Sequence, residues 1–340
     1  MKQTFNKRFG AFAKCVSDSR YGGNMATDNR LVLVTGGAGF IGSHLADALL
    51  NRGMRVRVLD NFSTGQRGNL NRRAQLIEAD IRDLPAIMPA VAGVDCIFHT
   101  AALARVPLSI SNPVETHSVN AVGTLNVLLA ARDQGVRRVI YSGSSSVYGN
   151  QPALPLREVM KPNPLNPYAL QKLVGEEYAR MFHSLFGIQT LTLRYFNVFG
   201  PRMTVDGAYV TVLGHFLRAR REGKPLTIHG DGEQTRDFTH VRDVVQANLL
   251  AMDCAIADGR PLNIGQGRNV SINHLAALIG GPIESAPPRL GDARDTLADY
   301  SQAKEILGWR PMITIEQGVR ELSDEYSEAA STTGSARASI

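Results

Sequence analysis

The chain has 340 residues, of which 44% are hydrophobic and 20% charged, so it can form one large core or two smaller ones. Its net charge of +6 is uneven, because residues 1–24 contribute +4 and the remainder only +2, which gives little support for a nucleic-acid partner. The sequence has three cysteines without CxxC spacing, which argues against a disulfide framework or a metal site and favours the cytosol as the compartment. It contains no apolar run of the roughly 20 residues that a membrane-spanning helix needs.

Both ends of the chain have the composition of disordered segments. Residues 1–27 lack the apolar stretch of a secretory signal. We interpret them as a disordered arm, or as sequence upstream of a true start at Met25 rather than Met1, and a transit peptide is the less favoured alternative. The tail 329–340, which includes "STTGSARASI", is also expected to be disordered.

The next segment, residues 28–197, alternates strand patterns with helix patterns. Strands are predicted at 31–35, 55–60, 75–80, 94–100, 137–143 and 189–196, with helices at 40–52, 113–134 and 167–186 among them. Strands that alternate with helices form a parallel sheet covered on both faces. The pattern therefore predicts an α/β fold with a doubly wound, Rossmann-type sheet.

The pattern changes after "NVFGP" at 197–201. From 198 to 328 the sequence predicts a smaller, mostly helical lobe, partly interleaved with the first, that forms the other wall of a cleft. Its helices are expected at 208–222, 241–257, 271–279, 301–307 and 315–328.

The loop "TGGAGFIGSH" follows the first strand and opens the first helix. Gly36, Gly39 and Gly42 fit the tight turn and close backbone approach that a dinucleotide pyrophosphate requires. Asp60 ends the second strand, where a carboxylate accepts the ribose hydroxyls of NAD and repels the extra phosphate of NADP. The alternative is a plain glycine turn with a capping aspartate, but the strand–turn–helix context favours NAD.

The third strand ends in "EADIRD". Asp80 and Ile81 are placed to meet the adenine of a bound dinucleotide. Asp80 could equally be the N-cap of the next helix, and the sequence leaves the two interpretations open.

A tyrosine and a lysine stand one helical turn apart in "NPYALQK". A nearby ammonium favours the phenolate form of a tyrosine, so Tyr168 and Lys172 are candidates for a proton-transfer pair. "SGSSSVYG" places three serines after the fifth strand, at the sheet edge where ligands bind. Taken alone, each motif is more often a surface pair or a loop; together, after a nucleotide loop, they favour an active site.

The set "TGGAGFIG", "HTAA", "SSSVYG", "YALQK" and "RYFNVFGP" resembles the extended short-chain dehydrogenase/reductase family, specifically its nucleotide-sugar epimerases, over nearly all of residues 30–325. The resemblance implies that Ser144 is the catalytic hydroxyl, Tyr168 the base and Lys172 its modulator. It also implies a homodimer and tightly bound NAD, regenerated in each turnover. The further cofactor-site residues that it implies are Phe40, Ile41, Asn61, Ala101, Asn120 and Phe196.

The same resemblance implies oxidation of a UDP-sugar at C4. The related 4,6-dehydratases carry Asp-Glu after the catalytic hydroxyl, where this chain has Ser145 and Ser146, and the related decarboxylases carry a glutamate that is also missing. 4-Epimerisation remains the expected reaction. The alternatives are a UDP-uronate 4-epimerase or another C6-modifying enzyme and, in a different class, an NAD-sensing protein without catalysis.

By resemblance, a second set of residues contacts the UDP-sugar. Thr296 is small enough to leave room for an N-acetyl group, whereas Arg105 replaces a usually small residue and could crowd the pocket or meet a C6 carboxylate. The alternative for the arginines of this set is solvation or pairing with Asp237 and Asp292. The full set is Ser144, Ser145, Asn197, Arg105, Arg236, Arg289, Asp292 and Thr296.

Overall fold

The computed structural model describes residues 28–205, 210–288, 291 and 293–324. The predicted arm 1–27 and tail 329–340 lie outside the described residues, as do two of the expected substrate contacts, Arg289 and Asp292.

Seven parallel strands form the central sheet. They lie in the order β11-β6-β5-β4-β1-β2-β3, and the chain reverses its direction of winding between β1 and β4. The predicted doubly wound sheet is therefore confirmed. The strands are β1 (Leu31–Thr35), β2 (Arg55–Asp60), β3 (Gln75–Glu78), β4 (Cys96–His99), β5 (Arg138–Ser144), β6 (Gln189–Tyr195) and β11 (Asp258–Ile264).

The strand β11 belongs to the later part of the sequence. It pairs with β6, with Leu262 opposite Leu193 and Ile264 opposite Tyr195, so the later part of the chain completes the sheet. The remaining short strands form two-stranded ladders outside it: β7 (Val198–Phe199) with β10 (Thr239–His240), β8 (Leu226–His229) with β13 (Ile283–Ala286), and β9 (Thr235–Asp237) with β12 (Asn269–Ser271).

The described helices follow the predicted pattern with shifted ends. The helix predicted over 113–134 is interrupted by a π-helical segment at Ser118–Gly123, and the one predicted over 241–257 ends at Asp253 because Cys254 is extended and the chain turns into β11. The helices are α1 (Phe40–Asn51), α2 (Leu84–Val91), α3 (Val106–Ser111), α4 (Pro113–His117), α5 (Thr124–Asp133), α6 (Pro167–Phe186), α7 (Val212–Arg221), α8 (Val241–Asp253), α9 (Ile272–Ile279), α10 (Ser301–Leu307) and α11 (315–324).

Helices cover both faces of the sheet. On one face Leu49 of α1 and Ala247 of α8 join a buried cluster with the strands, and on the other Ile87 of α2 and Val127 of α5 join a second cluster. Strands buried on both faces consist of nearly continuous apolar runs, which is why the strands were recognisable in the sequence.

Helix α6 carries the candidate tyrosine and lysine and is fixed at both ends. The side chain of Asn166 caps its start by accepting from the amide of Ala169 at 2.9 Å, and Gly187, with φ +72°, ends it in the left-handed conformation that favours glycine. In between, Glu176 of α6 binds Arg194 of β6 through two hydrogen bonds, of 2.9 and 2.5 Å. Both side chains of this ion pair are at most 5% exposed.

We predict that removing one charge of this buried ion pair lowers the free energy of unfolding strongly, whereas removing both charges together does not. Glu176→Leu or Arg194→Met should each lower the free energy of unfolding by about 3–5 kcal/mol, because each leaves an unpaired buried charge. The double variant should recover most of the loss. Urea unfolding of the four proteins measures both effects, and single variants within about 1 kcal/mol of the parent would contradict the prediction.

Candidate active site

The glycine loop between β1 and α1 forms a cradle for a pyrophosphate. Gly36 has φ +68°, and a Cβ there would lie 2.8 Å from the backbone of Ala101. A Cβ on Gly42 would lie 2.2 Å from the carbonyl oxygen of Gly36. Gly39 is the N-cap of α1, no side chain caps the helix, and its first turn contains no acidic residue. The backbone amides of Phe40 and Ile41, which lack an intrahelical acceptor, therefore suit an anion.

Asp60 lies beside this loop at the end of β2 and is buried. Its carboxylate accepts from the backbone amides of Ala38 at 2.9 Å and Phe62 at 2.8 Å. A carboxylate oxygen can accept more than one hydrogen bond, so Asp60 is held in place and still able to accept from ribose hydroxyls. The loop and this acid therefore fit a dinucleotide.

Asp80 is not a helix cap, so that alternative interpretation is wrong. Asp83 caps α2 by accepting from the amide of Ala86 at 3.1 Å. Asp80 instead accepts from Arg82 at 2.7 Å and from the amide group of Asn61 at 2.8 Å, and the guanidinium lowers the pKa of Asp80 to about 2. Asn61 and Asp80, both expected to contact the cofactor, thus lie together, followed by the buried Ile81.

Two expected cofactor contacts, Asn120 and Phe196, have side chains turned into the protein. Asn120 donates to Leu103 O at 3.1 Å and Gln171 Oε1 at 2.9 Å and accepts from Leu103 N at 2.8 Å, which uses both of its amide hydrogens. Phe196 is 0% exposed and packs beside Tyr148. Because their partners are protein groups, these two side chains pack against the residues of the site and do not point into it.

The candidate catalytic side chains meet at the carboxyl end of β5. Ser144 Oγ accepts from Ser146 N at 3.2 Å and from Ser146 Oγ at 2.8 Å, and the Ser144 side chain also lowers the pKa of the Tyr168 phenol. Lys172 Nζ donates to the carbonyl of Ser142 at 3.0 Å. A phenol, a hydroxyl and an ammonium are thereby gathered at one strand end.

Burial dominates the electrostatics of this group. It raises the pKa of Tyr168 above its usual value, against the lowering effects of the Ser144 side chain and the charge of Arg105. It lowers the pKa of Lys172 to about 8. Arg105 thus adds a positive charge near the phenol, and the effect of Lys172 on the phenolate stays a prediction.

Asn197 and Thr296, both expected to contact the substrate, lie in contact with each other just after β6. Asn197 has φ +30°, and its amide donates to Asp237 O at 2.9 Å and to Thr296 Oγ1 at 3.4 Å. Asp237 accepts from three backbone amides and Arg236 donates to backbone carbonyls, so the alternative pairing of these two side chains is not found among the described residues. Pairing with Asp292 lies outside the described residues.

The supporting roles of three residues escaped the sequence analysis: Ser109, Gln171 and Asp237. Ser109 accepts from the amide of Tyr168 at 3.0 Å, and Gln171 holds Asn120. Gln171 follows Tyr168 by three positions, which places it on the same helix face, so the spacing could have revealed it. Ser109 and Asp237 act through contacts distant in sequence, which no local pattern shows.

No helix within the described ranges is both long enough and apolar enough to cross a membrane.

Residues 32–265 match the model of the NAD dependent epimerase/dehydratase family. The UDP-glucose 4-epimerase of Mycolicibacterium smegmatis is 39% identical over 305 residues, covering 84% of this chain and 95% of that protein. UDP-glucuronic acid decarboxylase 1 of Xenopus tropicalis is 34% identical over 310 residues, covering 86% and 71% of the two chains.

Solved structures share the fold. The UDP-glucose 4-epimerase of Thermotoga maritima with UDP-glucose superposes with a TM-score of 0.84 at 38% identity, covering 88% of this chain and 99% of that one. The UDP-glucuronic acid 4-epimerase of Bacillus cereus, in complex with UDP-glucuronic acid and NAD, gives 0.80 at 32% identity with the same coverage.

The burial of Lys172 predicts a pH-dependent stability. Because its pKa falls from 10.5 to about 8 on folding, the unfolded chain binds more protons between these values, and the free energy of unfolding rises with pH there. Lys172→Met lacks this contribution. Its stability relative to the parent should therefore fall by on the order of 3 kcal/mol from about pH 8 to about pH 10.5.

Urea unfolding across this pH range measures the difference. Lys224→Met is the matched control, since Lys224 is exposed and its side chain pairs only with Glu222 among the described residues. A constant difference between Lys172→Met and the parent would refute the buried ammonium.

Proposed function

The chain belongs to the NAD dependent epimerase/dehydratase family, and we propose that it is a UDP-hexose 4-epimerase that interconverts UDP-glucose with UDP-galactose, UDP-GlcNAc with UDP-GalNAc, or both. The observation that carries this proposal is the Tyr168 phenol beside Ser144, at the carboxyl end of β5. Relatives that act on UDP-sugars support the substrate class.

In this proposal each side chain has one role. The Tyr168 phenolate takes the proton of the sugar 4-hydroxyl and returns it at the end of the cycle, Ser144 hydrogen-bonds the reacting oxygen, and Lys172 orients the nicotinamide ribose. The glycine loop and Asp60 hold the dinucleotide. Bound NAD supplies the reversible hydride acceptor that this chemistry requires.

The serines after Ser144 favour epimerisation over dehydration. Ser145 is buried in the 3₁₀ turn, and Ser146 donates its hydroxyl hydrogen to Ser144. Neither can act as a base at neutral pH, so elimination across C5 and C6 lacks a carboxylate here. The proposed path is a 4-keto sugar that turns in the site and is reduced on its other face, which restores NAD in each turnover.

The paired Asn197 and Thr296 support a pocket for the nucleotide sugar. Their mutual hydrogen bond ties the segment after β6 to the later lobe, and the small Thr296 leaves room for an N-acetyl group. We propose that Asn197 and Arg236 contact the diphosphate, where a guanidinium matches phosphate geometry. Arg289 and Asp292 remain proposed contacts.

A UDP-uronate 4-epimerase is the second candidate. The Arg105 side chain makes no hydrogen bond or ion pair with any described residue, and its charge lowers the pKa of Tyr168. A C6 carboxylate could therefore pair with it. The Bacillus cereus neighbour is named for this activity.

Product analysis separates these candidates. Incubation with UDP-glucose, UDP-GlcNAc or UDP-glucuronic acid, each followed by NMR, should show the C4 epimer of one or both of the neutral sugars. Tyr168→Phe should lower kcat by about 10²–10⁴-fold while NAD stays bound. Three results would contradict the proposal: release of CO₂, turnover of UDP-glucuronic acid alone among the three sugars, or a Tyr168→Phe variant with the kcat of the parent.

We also propose a homodimer formed through α6 and its neighbours. Met181 and Leu185 lie one turn apart on α6 and are 42% and 66% exposed, while Val114 and Val122 expose apolar surface on the adjoining helical segment. Such adjacent exposed apolar groups mark an interface.

Negative charge introduced into the stripe formed by Met181 and Leu185 on α6 should prevent dimer formation. Met181→Glu/Leu185→Glu should sediment as a monomer at concentrations where the parent is a dimer. Ile256→Glu, at an exposed position outside the stripe, should leave the parent's state unchanged. A parent protein that sediments as a monomer would contradict the proposed dimer.

A further inference from the structure

Asp237, the last residue of β9, is a buried carboxylate that binds only backbone amides. It is 0% exposed, and among the described residues it forms no ion pair. Its Oδ1 accepts from Gln266 N at 2.6 Å, and its Oδ2 accepts from Gly267 N at 2.9 Å and from Ala298 N at 3.0 Å. These three amides supply the hydrogen bonds without which a buried charge is costly.

The turn after β11 is shaped to fit this carboxylate. Gly267 has φ +72°, a left-handed conformation that turns the successive amides of Gln266 and Gly267 toward one anion. A Cβ on Gly265 would lie 2.3 Å from the Cβ of Ala298, so glycine allows the two segments to approach each other. The backbone around Asp237 is therefore organised for its negative charge.

The main chain of Asp237 holds residues that we propose to contact the UDP-sugar. Its amide donates to Thr296 Oγ1 at 3.2 Å, and its carbonyl accepts from Asn197 Nδ2 at 2.9 Å. Arg236, the third of these contacts, precedes Asp237 in β9. Three proposed contacts from three segments of the chain thus depend on the position of one residue.

Asp237 also connects these contacts to the carboxyl edge of the central sheet. Asn197 follows β6 and Gln266 follows β11, and these two strands are paired. The other neighbour of β6 is β5, whose carboxyl end carries the candidate catalytic groups. The hydrogen bonds of Asp237 therefore set the distance between the proposed substrate contacts and those groups.

A second buried carboxylate of the later lobe makes similar bonds away from the substrate residues. Asp243 of α8 is 3% exposed, and its Oδ2 accepts from Met312 N at 3.1 Å and from Ile313 N at 3.0 Å. Neither the segment that contains Met312 and Ile313 nor α8 carries a proposed substrate contact. Asp243 therefore provides a matched comparison for Asp237, because its bonds to backbone amides serve packing alone.

We propose that Asp237 is a positioning residue for the UDP-sugar, whose carboxylate fixes Asn197, Arg236 and Thr296 relative to the sheet so that they bind the nucleotide with little rearrangement. This inference rests on the proposed function, which supplies the substrate class. An asparagine at this position would keep the shape of the side chain, but its NH₂ group cannot accept from an amide. The carboxylate is therefore needed for all three bonds.

Calorimetric titration with UDP tests the inference without turnover, because UDP is the part that all the candidate substrates share. Asp237→Asn should raise the Kd for UDP by about tenfold, since at least one charge-assisted hydrogen bond is replaced by two opposed donors. Asp243→Asn should unfold at a lower urea concentration than the parent and bind UDP with the parent's Kd. With the active sugar, Asp237→Asn should raise KM and leave kcat little changed.

Gly267→Ala provides a second measurement that keeps the carboxylate and decides the matter if Asp237→Asn does not fold. At φ +72° the added Cβ is strained and would lie 2.6 Å from the ring of Tyr300, which displaces the amides of Gln266 and Gly267, so UDP binding should weaken. Gly308→Ala is the control, since Gly308 has φ +66° with nothing within 4 Å of the added Cβ. It should bind UDP as the parent does.

Two outcomes would overturn the inference. One is a Kd for UDP that is the same in the parent, Asp237→Asn and Gly267→Ala. The other is equal weakening in Asp243→Asn, which would show that any loss of stability in this lobe lowers the affinity for UDP. A parent that does not bind UDP would contradict the proposed substrate class and the inference with it. A parent that binds UDP but epimerises no UDP-sugar would contradict the proposed reaction alone, while the UDP titrations still decide the role of Asp237.

Discussion

The close contact of helix α6 with the sheet sets both the positions and the charge states of the candidate catalytic groups. Gly175 allows this approach, because a Cβ there would lie 2.3 Å from the hydroxyl of Tyr141. Lys172 Nζ reaches the carbonyl of Ser142 only at this separation, and the Glu176–Arg194 pair fastens the next turn. The same contact removes water from the site, and this desolvation shifts the pKa values of Tyr168 and Lys172.

Desolvation has opposite consequences for stability and for chemistry. A buried ammonium with a pKa of about 8 reduces the free energy of unfolding at neutral pH, since the charged form has lost its hydration. The same environment strengthens each remaining charge interaction with the phenol. Stability is therefore lowered where reactivity is needed, a common feature of functional sites.

The segments that carry the proposed substrate residues are joined by the buried carboxylate of Asp237. It accepts from the amides of Gln266, Gly267 and Ala298, which joins its own strand to two later segments of the chain, and the backbone carbonyl of Asp237 accepts from Asn197. Because β11 from that lobe also completes the sheet, the proposed substrate residues are built onto the same framework as the glycine loop.

Local sequence patterns determined the parallel sheet, the glycine-loop cradle and the Tyr168–Lys172 pair, because strand runs, helix spacing and glycine turns follow from interactions within a few residues. The choice of Ser144 among the three serines came from the family resemblance. Helix spacing put Tyr168 and Lys172 on one face, and the glycine motif placed Gly36 beside a strand end. Only the tertiary structure showed that Asn120 and Phe196 are turned into the protein and that Ser109 joins Arg105 to Tyr168. Those outcomes depend on distances between segments far apart in the chain and on how much water each charge loses, and neither quantity is encoded in a local pattern.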